Sequence, residues 1–83
     1  MSQPGICFTL YTRNGCHLCE DMRWQLVEMQ KERGFEFNEI DIDADPELEK
    51  RYGTLIPVLA LGEKVLCNYY LDPVAVNETL ARE

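Results

Sequence analysis

The spacing of apolar residues changes period several times along the chain, and each change marks a predicted element. Ile6 to Tyr11 (I-C-F-T-L-Y) is an unbroken β-prone run, as expected of a strand buried on both faces. Thr12-Arg13-Asn14-Gly15 interrupts it. From Cys16 to about Arg33 the period becomes helical, because Leu18, Met22, Leu26 and Met29 recur on one face, and Gly34 supplies a stop. Phe35 to Ile42 alternates as a second strand, with a phase slip between Phe37 and Ile40. Asp45-Pro46 and Asp72-Pro73 each pair an N-cap with proline at the first turn, so each opens a helix. The first of these two helices puts Leu48 and Tyr52 on one face and ends at Gly53; the second carries Val76 and Leu80 inward. Between them, Val58–Leu61 and Lys64–Cys67 flank Gly62-Glu63 as a hairpin.

The predicted order is therefore β-α-β-α-β-β-α, an α/β chain. Its first two strands are joined through a helix, so they should run parallel with a right-handed crossover, and the last two should be antiparallel. A four-stranded mixed sheet flanked by three helices follows. No repeat, linker or low-complexity tract divides residues 1–83, and a chain of that length has room for one core.

Composition narrows the function. Hydrophobic residues make up 46% and charged residues 28%, which is globular rather than disordered composition. The net charge of −7 argues against nucleic-acid or anionic-membrane partners, whose phosphates it repels. The longest apolar stretch, Leu55 to Leu61, holds Pro57 and falls far short of the roughly 20 residues that a membrane helix needs. The opening residues Met1 to Gly5 show no basic segment before an apolar one, so the expectation is a cytoplasmic protein; a monomer is also expected. Structural disulfides are uncommon in that compartment, and the four cysteines, Cys7, Cys16, Cys19 and Cys67, call for another reason. A tetrahedral metal site would show two close pairs; here one pair is close, so no metal is expected.

That pair stands where a strand hands over to a long helix. A helix N-terminus favours an anion, and the thiolate is the nucleophile of disulfide exchange. Cys19 falls beside the Leu18/Met22/Leu26 stripe, with Cys16 roughly 60° further toward solvent. Cys16 is thus the expected attacking thiol and Cys19 the resolving one. Gly15 leaves room for a substrate backbone. Arg13 offers a cation to a thiolate or a substrate carboxylate, whereas Glu20 and Asp21 oppose a second negative charge.

Tyr11 to Cys19 (Y-T-R-N-G-C-H-L-C), Ile56-Pro57, and Pro57 to Asn68 with Gly62 at the hairpin together resemble the thioredoxin superfamily, and within it the short glutaredoxin-like proteins. The resemblance spans Ile6 to Leu80 and implies a thioredoxin-like fold, a redox-active Cys16–Cys19 disulfide in place of any other cofactor, and a cis bond before Pro57. It also implies that Ile56 and Pro57 bind substrate backbone, and that Arg13 meets a glutathione carboxylate. The chain departs from the family at His17-Leu18, between the cysteines. It departs again at Cys67-Asn68, where glutaredoxins place the Gly-Gly pair that cradles glutathione; Asp72 follows one residue out of register. Glutathione is accordingly expected to be a poor substrate, and the expected partners are a protein disulfide and a protein dithiol reductant. Two other functions compete with this one: a metal or iron–sulfur binder using Cys16 with external thiols, and a redox-inactive interaction module.

His17 and Cys67 are candidate modulators, the first as a cation and the second as a third thiol; a bystander histidine and a buried inert thiol are the bland alternatives. Cys7 reads as a small hydrophobe within its strand. Trp24 and Val27 lie off the helix stripe and are expected to pack on the last helix, and Tyr69 and Tyr70 to be half-buried near a groove rim.

Overall fold

The computed structural model describes residues 6–82; residues 1–5, read above for a leader segment, and residue 83 lie outside it. The elements are β1 (Cys7–Thr12), α1 (His17–Arg33), β2 (Glu36–Asp41), a 3-10 turn (Ile42–Ala44), α2 (Pro46–Tyr52), β3 (Val58–Leu61), β4 (Lys64–Asn68) and α3 (Pro73–Arg82). They build a four-stranded sheet in the order β2-β1-β3-β4. β1 runs parallel to β2 and antiparallel to β3, and β3 and β4 form the antiparallel hairpin. This is the thioredoxin-like arrangement of a mixed sheet with three flanking helices.

The helix boundaries follow from local chemistry. Gly34 ends α1 in the left-handed conformation, φ 72°, and donates its N–H to Gln30 O at 2.9 Å. Asp45 caps α2 by accepting from Glu47 N at 2.9 Å, and Asp72 caps α3 by accepting from Val74 N and Ala75 N. Gly53 stops α2 for a different reason: its backbone is right-handed, but a Cβ there would stand 2.5 Å from Glu49 O.

One core lies on the inner face of the sheet. Phe8 and Leu10 of β1 and Leu59 of β3 meet Met22 and Leu26 of α1, Val76 of α3 and Phe35, all buried, with Phe8 and Phe35 packed edge to face at 5.2 Å. On the opposite face Tyr11 stacks on Tyr52 of α2, with ring centres 4.5 Å apart.

Several expectations are corrected by this packing. The strand buried on both faces is β3, where Val58, Leu59 and Ala60 are all inaccessible. In β1 burial alternates, because short α2 covers the outer face only near Tyr11. Cys7 consequently faces solvent, where its sulfur accepts from Asn38 Nδ2 at 3.4 Å, and is not a buried hydrophobe. Trp24 is 67% exposed rather than packed on α3. The phase slip in the second strand is a change of face: Phe37, opposite Phe8, packs on the core, Ile40, opposite Tyr11, lies on the other face, and Ile42, fully buried, belongs to the 3-10 turn that follows. Among the described residues, no helix is long and apolar enough to cross a membrane.

Candidate redox site

β1 ends in the inner sheet, and its continuation, Arg13 to Gly15, turns with Gly15 at φ 74° to deliver Cys16 to the start of α1. Cys16 is the helix N-cap, extended at φ −97° and ψ 109°, and its Sγ accepts from Cys19 N at 3.0 Å. The sulfur thus occupies the place that a serine or aspartate oxygen takes in most helix caps. One turn on, Cys19 faces the core and is 1% exposed, whereas Cys16 is half-buried. The two are joined as a disulfide with Cα atoms 5.1 Å apart.

A cavity of about 310 Å³ opens beside this disulfide, on the β2 side. Charged side chains dominate its wall: Arg13, Glu20, Arg23, Glu39 and Asp41. Both cations are already engaged. Arg13 Nε lies 3.0 Å from Asp43 Oδ1 and its Nη2 3.3 Å from Glu49 Oε2, while Arg23 Nε lies 3.0 Å from Glu39 Oε1. Arg13 therefore ties the loop before Cys16 to the 3-10 turn and to α2, and Arg23 ties α1 to β2.

The second sequence candidate, Ile56-Pro57, has a cis peptide bond. The pairing of Tyr11 with Val58 puts Pro57 at the same sheet end as Thr12, from which the chain runs to Cys16. Pro57 is buried and Ile56 half-buried. Neither the N–H nor the C=O of Ile56 has a backbone partner among the described residues. Ile56 and Pro57 do not line the charged cavity; the strand register places them at the end of the sheet from which the chain runs on to Cys16.

His17 is exposed at the first helical position and does not line the cavity. Cys67 lies in β4 opposite Leu59, half-buried and packed on the core. Burial pushes its thiol up; a hydrogen bond from the Asp72 backbone opposes this, and the Asp72 carboxylate adds to it. Cys67 and Asn68 are ordinary strand residues opposite Leu59 and Val58. The left-handed backbone comes one residue later, at Tyr69, φ 67°. Arg23 and Glu39 were not legible as site residues. Arg23 is one helical turn past Cys19, but only the parallel register, with Glu39 opposite Leu10, brings Glu39 to the same wall.

Residues 8–81 match the family model of the glutaredoxin-like domain (DUF836). The chain belongs to this glutaredoxin-like family. It is 31% identical to an uncharacterised protein of Mycobacterium tuberculosis over 99% of this chain and 88% of that one. The solution structure of protein Ne2328 from Nitrosomonas europaea is similar at a TM-score of 0.83, with 39% identity over 96% of this chain and 95% of that chain. The glutaredoxin-like NrdH-redoxin of Escherichia coli, described as having a thioredoxin-like activity profile, is similar at a TM-score of 0.60, with 27% identity over 88% and 93%. A C-x-x-C disulfide on this glutaredoxin-like fold is the equipment of thiol–disulfide chemistry.

Proposed function

We propose that this glutaredoxin-like protein is a cytoplasmic oxidoreductase that reduces protein disulfides through Cys16 and Cys19. The observation that carries the reading is the unequal placement of the two sulfurs. Cys16 is reachable and sits on the helix N-terminus with a backbone N–H aimed at it, whereas Cys19 is enclosed. In the reduced protein the Cys16 thiolate attacks one sulfur of the substrate. The substrate S–S bond breaks, a mixed disulfide forms, and the first substrate thiol leaves with a proton. Cys19, as a thiolate, then attacks Cys16 Sγ and expels the second substrate thiol. Two electrons pass to the substrate, and the protein is left with the Cys16–Cys19 disulfide.

The free N–H and C=O of Ile56 suit strand-like pairing with an extended substrate segment, as in other β-augmentation sites. Arg13 borders the same disulfide and contacts substrate through the guanidinium N–H groups that Asp43 and Glu49 leave free. Its charge, however, is matched by two carboxylates already. That disfavours capture of a glutathione carboxylate, as does the field of a −7 chain. A protein dithiol is therefore the electron donor in this reading, in line with the thioredoxin-like profile of the E. coli relative.

Two measurements test it. Cys19→Ser should accumulate protein substrates disulfide-linked to Cys16, and Cys16→Ser should accumulate none. Oxidised protein should be reduced faster by a thioredoxin-reductase-type system than by glutathione, each at physiological concentration. Fast, saturable reduction by glutathione would return the donor assignment to the ordinary glutaredoxins, and an absence of Cys16-linked species would remove the oxidoreductase assignment.

A further inference from the structure

Tyr69 is, among the described residues, the one non-glycine residue in the left-handed region, at φ 67°. A bulky side chain is uncommon there, and such a backbone persists only where surrounding contacts over-determine it. Those contacts converge on a single segment. The Tyr69 N–H donates to Pro57 O at 2.9 Å, and its Oη donates to Thr54 O at 2.6 Å. The next residue closes the turn, with Tyr70 N donating to Asn68 O at 2.7 Å. One residue thus grips both ends of the 54–57 segment, which links α2 to β3. A third anchor is the bond from Leu55 N to Tyr52 O at 2.8 Å. What these anchors leave free is the backbone of Ile56.

We propose that Tyr69 is a positioning residue for protein substrates, holding residues 54–57 in the shape that presents Ile56 to a partner's strand. The proposal rests on the oxidoreductase reading above and extends it to a residue that does not line the cavity beside the disulfide. Its physical basis is pre-organisation. A segment already fixed loses less conformational freedom when a substrate pairs with it, so substrate affinity rises without any effect on the chemistry at Cys16. A small disulfide that needs only the Cys16 sulfur gains nothing from it.

Tyr69→Phe is the test, because it keeps the ring and the backbone and removes only Oη. With insulin as the protein disulfide, the half-saturating concentration should rise about threefold to tenfold, the span expected for loss of one intramolecular hydrogen bond. The limiting rate should stay within about twofold, because the sulfur chemistry is untouched. The rate with 5,5′-dithiobis(2-nitrobenzoate) should not change. Amide exchange at Leu55, whose N–H is held by Tyr52 O, should accelerate while that at Leu10 in β1 does not. If wild type reduces insulin and the variant matches it in half-saturation, the Tyr69 proposal is overturned alone. If the insulin and the small-disulfide rates fall together, Tyr69 acts on the fold as a whole and the proposal is again overturned. A wild-type protein that leaves insulin untouched overturns the oxidoreductase reading, and this proposal with it.

Discussion

Replacing Arg13 by glutamine separates a structural strut from a receptor for small anions. In the native protein the guanidinium joins Asp43 and Glu49, both on elements distant in sequence, across side chains that keep between 33% and 56% of their accessibility. Exposed pairs of this kind contribute about 0.2–1 kcal/mol each, so losing both costs roughly 0.4–2 kcal/mol. The substitution also moves the net charge from −7 to about −8 and leaves two carboxylates facing each other without a cation, which adds to the loss at low salt. For a domain of this size, about 1 kcal/mol lowers Tm by roughly 4–8 °C. The assay is urea unfolding of the oxidised protein at about 0.05 M and at about 1 M salt. The Debye length shrinks to about 3 Å at the higher salt, so the gap between wild type and Arg13→Gln should narrow there. Asp43→Asn in the Arg13→Gln background should then cost less than Asp43→Asn alone. A gap that is absent at low salt, or that is equal at both salts, refutes the strut.

Two further outcomes follow from the packing. Leu59→Ala empties the centre of the sheet against Val76 and Met22 and should cost about 2–5 kcal/mol in urea unfolding, a large share of the roughly 4–12 kcal/mol available to 83 residues; a loss below about 1 kcal/mol would mean that the core there is not closed. Burial raises the Cys67 thiol pKa in the folded state, so its contribution to stability is full below the unfolded value of about 8.5 and is lost as pH rises through the folded value. The stability difference between wild type and Cys67→Ala should therefore shift against wild type as pH rises above about 8.5, and a pH-independent difference would exclude the burial argument.

Much of this protein is written in local pattern. The 3.6-residue stripe through Met22 and Leu26, the Asp-Pro caps at 45 and 72, Gly34, and the turn at Gly62 each act within a few residues, so their meaning needs no knowledge of the rest of the chain. The Cys16/Cys19 pair at a strand-to-helix junction is legible for the same reason: the helix N-terminus that orients Cys16 is built by the very next residues. What local pattern cannot carry is which side of a strand is covered, and by what. Cys7 and Cys67 both stand in β-prone runs, yet one faces Asn38 at the surface and the other packs on the core, because Cys7 lies on the outer face of β1 and Cys67, opposite Leu59, on the core face of β4. Arg13 beside two acidic side chains 30 and 36 residues away, and Glu39 paired with Arg23 on the cavity wall, are products of sheet register and of where α2 docks. Tyr69 is the sharpest case. A tyrosine has no local preference for φ 67°, and only the closed hairpin, with Pro57 O and Thr54 O held in reach of one side chain and its amide, makes that backbone the lower-energy choice.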